Sequence, residues 1–261
     1  VPFTGSHPAA VLPLLRPLRR LGVPASAPVI GSLAPDLPFY VMVTSITEQT
    51  HSLAGVFSID IAIGAVAFAA WRLLGRPATD VLLPGLRGAA PETGDDVRTP
   101  SWWRRSLSVA LGLAVGGLTH VIWDSFTHAG MWGVDRLPWL ADRYGPLPGY
   151  EWAQYASSVA GLVVLAGWWA RSRRPVVLSR RAVRAWAMVA GAALAGAALG
   201  VWTGIDSEAD PLRGALFLAA TRGGFAGLLA VAAIGAAAAA RPAAPLTDEA
   251  RVADRNSPSA R

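Results

Sequence analysis

Five stretches of the chain, at about 52–71, 105–123, 152–170, 185–203 and 214–240, are apolar and almost free of charge. A helix of about 20 residues crosses the roughly 30 Å hydrocarbon core of a bilayer, and each stretch comes close to that length. Buried helices of soluble proteins are normally shorter and polar on one side. The composition agrees, with 53% hydrophobic and only 15% charged residues. These features predict an all-α fold, a polytopic membrane helix bundle of about five spanning helices.

A sixth apolar segment, about 26–46, is less regular because Pro35-Asp36-Leu37-Pro38 interrupts it. An acid flanked by prolines suits a bilayer centre poorly. Residues 8–35 are therefore expected to form an N-terminal helical hairpin that turns near Gly22-Val23-Pro24 and folds back. A full span over 26–46, giving six spans, is the alternative. Val1 to Ala10 lacks the form of a secretory signal, so the first helices are expected to insert by themselves.

Arginine placement gives an expected orientation, because cytoplasmic loops retain positive charge. The 72–105 connection holds Arg72, Arg76, Arg87, Arg98, Arg104 and Arg105, and the 171–184 connection holds Arg171, Arg173, Arg174, Arg180, Arg181 and Arg184. The intervening segments are richer in acid, with Asp124, Asp135, Asp142 and Glu151 in one and Asp206, Glu208 and Asp210 in the other. The expected location is thus a cell (inner) membrane, with the C-terminus cytoplasmic. Trp71, Trp103, Trp169 and Trp186 fall near the expected inner ends, and Trp123, Trp152 and Trp202 near the outer ones, as in aromatic belts. Three regions follow: a membrane domain over 1–170, additional Ala-rich helices over 171–240, and a polar tail over 241–261 expected to be disordered.

The formal charge of +6 comes from 23 basic residues, all Arg. Their clustering between apolar spans argues for membrane orientation and against nucleic acid. There is no cysteine, which excludes disulfides and thiolate chemistry and leaves any metal to His, Asp or Glu. Walker, Gly-x-Ser-x-Gly and His-Glu-x-x-His motifs are absent from the sequence.

The four histidines, His7, His51, His120 and His128, each follow a hydroxyl residue. His120, Asp124 and His128 stand at i, i+4 and i+8. At about 100° per residue they share one helix face, the arrangement by which a helix offers imidazoles and a carboxylate to one ion or two. The loop charges put the start of the helix after His51 on the same side as the end of the helix carrying His120. His7 and Asp36 join them only if 8–35 folds back. Asp60 lies nine residues past His51, about 13 Å along a helix axis, and is expected to be an interhelical hydrogen-bond partner. Glu151, Gln154 and Tyr155 begin the 152–170 helix on the same face and read as interfacial polar residues, with a supporting role at the site as the alternative. The helices after residue 180 suggest only packing.

Over most of residues 1–170 the chain resembles an uncharacterised bacterial family of multi-pass membrane proteins known only as a domain of unknown function. The residues that carry the resemblance are Pro2-Phe3-Thr4-Gly5-Ser6-His7-Pro8-Ala9, Gly31-Ser32-Leu33-Ala34-Pro35-Asp36, Thr50-His51-Ser52, Thr119-His120 through Thr127-His128, and Gln154-Tyr155-Ala156-Ser157-Ser158. More distantly it is similar to inner-membrane metal-dependent hydrolases and, weakly, to the all-helical zinc-dependent phospholipases C. The phospholipases use further His and Glu ligands that find no match here, so a full three-metal site is not implied. The resemblance implies His7, Asp36, His51, His120, Asp124 and His128 as ligands of a divalent metal, zinc by analogy.

Two functions are compatible with these readings. One is a membrane-embedded metal-dependent hydrolase acting on a lipid or lipid-linked phosphoester at the outer face, with Asp124 or Asp36 as base. The other is a non-catalytic ion-binding transporter or assembly factor, which would favour intramembrane acids such as Asp60 and broken helices in both halves.

Overall fold

The computed structural model describes residues 4–84, 101–172, 179–205 and 210–240. Arg87, Arg98, Arg173, Arg174, Asp206, Glu208 and the tail 241–261 lie outside the described residues. The N-terminal region is a series of short helices: α1 (Pro8–Val11), α2 (Leu15–Arg20), α3 (Ser26–Gly31), α4 (Leu37–Tyr40), α5 (Thr47–Thr50) and α6 (Leu53–Val56). Prolines 13, 17, 24, 28, 35 and 38 punctuate this run and keep its pieces short. Then come α7 (Ile59–Ala70), a π turn (Trp71–Gly75), α8 (Arg76–Leu82) and α9 (Trp102–Asp124). The remaining elements are α10 (Trp132–Arg136), α11 (Pro138–Ala141), a two-residue hairpin β1 (Arg143–Tyr144) and β2 (Leu147–Pro148), α12 (Gly149–Ser172), α13 (Arg180–Gly204) and α14 (Pro211–Ala239).

Four helical segments are long and apolar enough to cross a bilayer: Leu53–Leu82, Trp102–Asp124, Arg180–Gly204 and Pro211–Ala239. The protein is an all-helical membrane bundle. The fifth expected span forms a helix, α12, whose 24 residues reach about 36 Å, but it is not among those four. Gln154, Ser157 and Ser158 interrupt its apolar run, so it stands apart from those four.

The segment 26–46 does not span. After α3 the chain makes a 3-10 turn at Ala34–Asp36 and the single turn of α4. Residues 8–35 fold back instead: Gly22 takes a positive φ of 78° and reverses the chain between α2 and α3. Leu18 and Val23 at the hairpin tip pack against Phe68, Val109 and Val115, far along α7 and α9 from the other hairpin end. Arg16, Arg19 and Arg20 are exposed at that tip.

The hairpin is held by an unusually close crossing of α3 over α9. A Cβ on Gly116 would collide with the Pro28 carbonyl and lie 2.5 Å from the Ser32 amide nitrogen, so only glycine lets the backbones meet. The same device joins α13 to α14, where a Cβ on Gly200 would run into the Leu218 carbonyl. Gly196 makes a second such approach four residues earlier, where a Cβ would lie 2.5 Å from the Arg222 carbonyl, and together they form the seam. This pair docks through α14 on α8, the π turn and α4.

Candidate metal centre

Each polar residue of the site is delivered by an element end. His7 precedes α1, with its amide on the Thr4 carbonyl at 3.3 Å. Asp36 closes the 3-10 turn of Ala34–Asp36, and its side chain caps no helix. His51 terminates α5, while His120 and Asp124 occupy the last turns of α9. The sequence spacing placed His128 on this helix too, but α9 ends at Asp124. Back-bonding of Ser125 Oγ to the Val121 carbonyl at 2.7 Å accompanies that end, and the turn is continued by the His128 amide on the Asp124 carbonyl at 3.2 Å. His128 thus stays beside Asp124 without sharing its helix.

One oxygen of Asp36, one of Asp124 and the Nε2 atoms of His51 and His120 all lie within 4.8 Å of one another. His51 Nε2 is 3.3 Å from Asp36 Oδ1 and 3.6 Å from Asp124 Oδ2. His120 Nε2 is 3.6 Å from Asp36 Oδ1, 3.3 Å from Asp124 Oδ2 and 3.4 Å from His51 Nε2. An ion bound tetrahedrally at about 2.0–2.2 Å needs ligand atoms about 3.3–3.6 Å apart. Five edges of the tetrahedron already have that length. Buried carboxylates so close together repel unless a cation or protons lie between them, which adds to the fit.

Hydrogen bonds behind the donors orient them, as outer partners of metal ligands do. His120 Nδ1 donates to the Ser32 carbonyl at 2.9 Å, and His51 Nδ1 to the Thr47 carbonyl at 3.0 Å. Both rings therefore point Nε2 at the carboxylates. Thr4 Oγ1 donates to Asp36 Oδ2 at 2.6 Å. Burial opposes the ionisation of Asp36, but the His120 charge and the hydrogen bonds from His51 and Thr4 outweigh it and hold the carboxyl well below its usual range. Thr4→Val keeps the shape and deletes that donor. Metal affinity is expected to fall about 10- to 100-fold, measured by competition with a chelating dye; unchanged affinity would mean that Thr4 has no part in shaping the centre.

His7 and His128 stand on the other oxygen of Asp124, each 3.5 Å from Oδ1. The His7 ring is stacked on that of His120, with centroids 3.9 Å apart and planes at 25°. Burial, and then the neighbouring His120, push the His7 pKa down to about 4, so this ring is neutral at physiological pH. Its Nδ1 is buried with no hydrogen-bond partner. His128 is the outermost of the four, its side chain 42% exposed. Its Nε2 meets the Gln154 amide at 2.8 Å. All six residues singled out in the sequence gather around Asp124, four in the tightest cluster and two on its far side.

A cleft of about 500 Å³ opens over the cluster, lined by His7, Asp36, His51, Asp124 and His128 and walled by Phe39, Trp123, Met131 and Phe217. Phe39 and Phe217 meet edge to face, with ring centroids 5.8 Å apart. The Ala-rich C-terminal helices thus contribute a wall of the site, beyond the packing role expected of them. Gln154 and Glu151 also belong to the cleft, which favours the supporting role weighed for them. Asp60 corrects the sequence reading in the opposite direction: it is 2% exposed, and neither carboxylate oxygen has a hydrogen-bond partner. It faces inward, within electrostatic reach of His51 and His120 but hydrogen-bonded to neither.

Fold and site define a class: a helical membrane protein with a buried His/Asp centre suited to a divalent cation at one end of its bundle. A family model described as a domain of unknown function, DUF4184, matches residues 1–240, and the chain belongs to that family. The match runs through α13 and α14, past the region that carries the resemblance in the sequence. No curated protein and no solved structure matches the chain.

Proposed function

We propose that the protein is a membrane-embedded, metal-dependent hydrolase acting on a phosphoester at the lipid–water boundary. The observation that carries this reading is the set of donor separations between 3.3 and 3.6 Å among Asp36, His51, His120 and Asp124, which suits a tetrahedral Zn²⁺. When bound, such an ion supplies Lewis acidity, polarising a phosphoryl oxygen and acidifying water. Asp36 has both oxygens engaged, one by Thr4 and one by the imidazoles, so it serves to hold the centre. Asp124 keeps Oδ1 on the side of His128, and these two are the pair able to accept a proton at the cleft and pass it outward. Gln154 fixes the His128 ring for that task.

Orientation belongs to the same reading. Eight described arginines, Arg72, Arg76, Arg104, Arg105, Arg171, Arg180, Arg181 and Arg184, lie toward the ends opposite the centre, against Arg136 and Arg213 at helix ends on its own side. With that end cytoplasmic, the site faces outward across a cell membrane and α14 ends inside. A non-catalytic ion transporter is the second reading, favoured by Asp60, a buried acid within electrostatic reach of His51 and His120. Against it, α13 and α14 are unbroken, so the N-terminal break has no counterpart among the described residues of the second half.

Elemental analysis of the purified protein tests the centre. Stoichiometric zinc is expected, and it is expected to be lost from the His51→Ala and His120→Ala proteins. Undiminished metal in the double variant would refute it. Turnover of phosphodiesters that ceases in those variants separates hydrolase from transporter.

A further inference from the structure

The helices that flank the cleft on its far side belong to different parts of the bundle. α12 packs on α1, the Thr4–Ser6 turn, α11 and β2, whereas α14 packs on α13, α8, the π turn and α4. An ion pair near their N-termini links them, Arg213 Nη2 to Glu151 Oε2 at 3.3 Å, with Asp210 Oδ2 3.4 Å from Arg213 Nε. Behind the pair lies a second cleft of about 340 Å³, lined by Glu151, Gln154, Tyr155, Arg213, Gly214 and Phe217. Glu151, Gln154 and Phe217 also line the cleft over the metal centre, so the two clefts adjoin.

Depth along the helices identifies what this gap faces. Gln154 and Tyr155 stand about 8 to 9 Å along α12 from Gly149, and Phe217 about 9 Å along α14 from Pro211. The polar lining is therefore at the level of headgroups and ester linkages. Further along, the flanking surfaces expose Val159 and Val163 on α12 and Leu228 and Leu229 on α14, side chains suited to hydrocarbon. A gap with a polar sill, apolar jambs and an internal connection to the site has the form of a sideways opening to the bilayer.

The geometry points to a lateral portal between α12 and α14, through which a bilayer glycerophospholipid slides one acyl chain past Phe217 while its phosphoester reaches the metal centre. The Arg213–Glu151 ion pair is its latch. Its guanidinium stands largely in solvent, so the pair is weak enough to open and close in equilibrium. Guanidinium and amide groups at the sill offer hydrogen bonds to the phosphate as it passes. This portal rests on the hydrolase reading for its purpose, but its existence can be tested without turnover.

The chain has no cysteine, so Glu151→Cys and Arg213→Cys together supply the only two thiols. A short bismaleimide then ties α12 to α14 across the latch, and each single variant carrying the same reagent is the unbridged control. The proteins are placed in nanodiscs containing a phosphatidylcholine with a diazirine near the end of one acyl chain, irradiated, and mapped by mass spectrometry. Adducts are expected on Phe217, Phe39 and Met131 in the single variants and are expected to be lost in the bridged protein. Adducts confined to outward residues such as Val163 and Leu228 would overturn the portal. So would cleft adducts that survive bridging, since the chain would then arrive by another path. Zinc content of the same samples reports on the metal centre and shows that the bridged protein is intact. Zinc present without cleft adducts therefore removes the portal alone, while adducts without zinc remove the hydrolase reading alone.

Discussion

Asp124→Asn is expected to abolish hydrolysis and to empty the metal centre, because Asp124 is the residue on which all four imidazoles converge. Its Oδ2 faces His51 at 3.6 Å and His120 at 3.3 Å, and its Oδ1 faces His7 and His128 at 3.5 Å each. Asparagine has the same shape and can still accept a hydrogen bond from an imidazole, so α9 and the hairpin stay in place. What it removes is the negative charge that attracts the cation and the oxygen that accepts a proton. Loss of a general base alone lowers rates by about 10²–10⁴-fold. Failure to hold the ion takes the loss further. Metal analysis, a phosphodiester assay and size-exclusion chromatography on the same preparation separate these contributions. An Asp124→Asn protein that retains both zinc and turnover would remove Asp124 from the centre and the proposed chemistry with it.

Much of this arrangement was legible in the sequence, and the reasons are local. Apolar length identified the membrane helices, since hydrocarbon thickness sets a requirement that composition cannot disguise. The i, i+4 spacing of His120 and Asp124 put both on one helix face, and a helix end reached by the His51 segment followed from alternating loop charge. The prolines around Asp36 signalled a broken segment, which the structure resolves as the returning arm of the hairpin. Other parts depended on contacts between segments far apart in sequence. His120 is oriented by the Ser32 carbonyl, a backbone group with no sequence signature. Phe217 reaches the cleft only because α14 packs on α4, and nothing in an Ala-rich helix marks one phenylalanine as a wall. The end of α9 before His128 was missed for a similar reason. Periodicity registers a face but not the hydroxyl back-bonding that accompanies the helix end.

Asp60 shows how a sound rule can give the wrong partner. A carboxylate in a spanning helix should be paired, and the sequence offered an interhelical hydrogen bond. The structure buries it with both oxygens unpartnered, near the two central histidines.

Gly116→Val is expected to produce the largest loss of stability, and through it a loss of metal, although the side chain it adds points at no metal ligand. The new Cβ would collide with the Pro28 carbonyl and lie 2.8 Å from the Gly31 carbonyl carbon. Both are backbone atoms, so no rotamer change relieves the contact and α3 must move off α9. Overpacking of this sort costs about 1–3 kcal/mol, and the second methyl group of valine leaves it at the upper end. Displacement of α3 withdraws the Ser32 carbonyl that holds the His120 tautomer and carries Asp36, four residues on, away from His51. The thermal midpoint in detergent should fall, and the remaining folded protein should bind zinc more weakly. Gly191→Val is the matched control, because a Cβ there meets nothing within 4 Å. If Gly116→Val melts no lower than Gly191→Val and binds zinc equally well, the close crossing of α3 over α9 is not what positions the centre. If it melts lower, the metal site depends on one glycine that lets the re-entrant hairpin lie flat against a spanning helix.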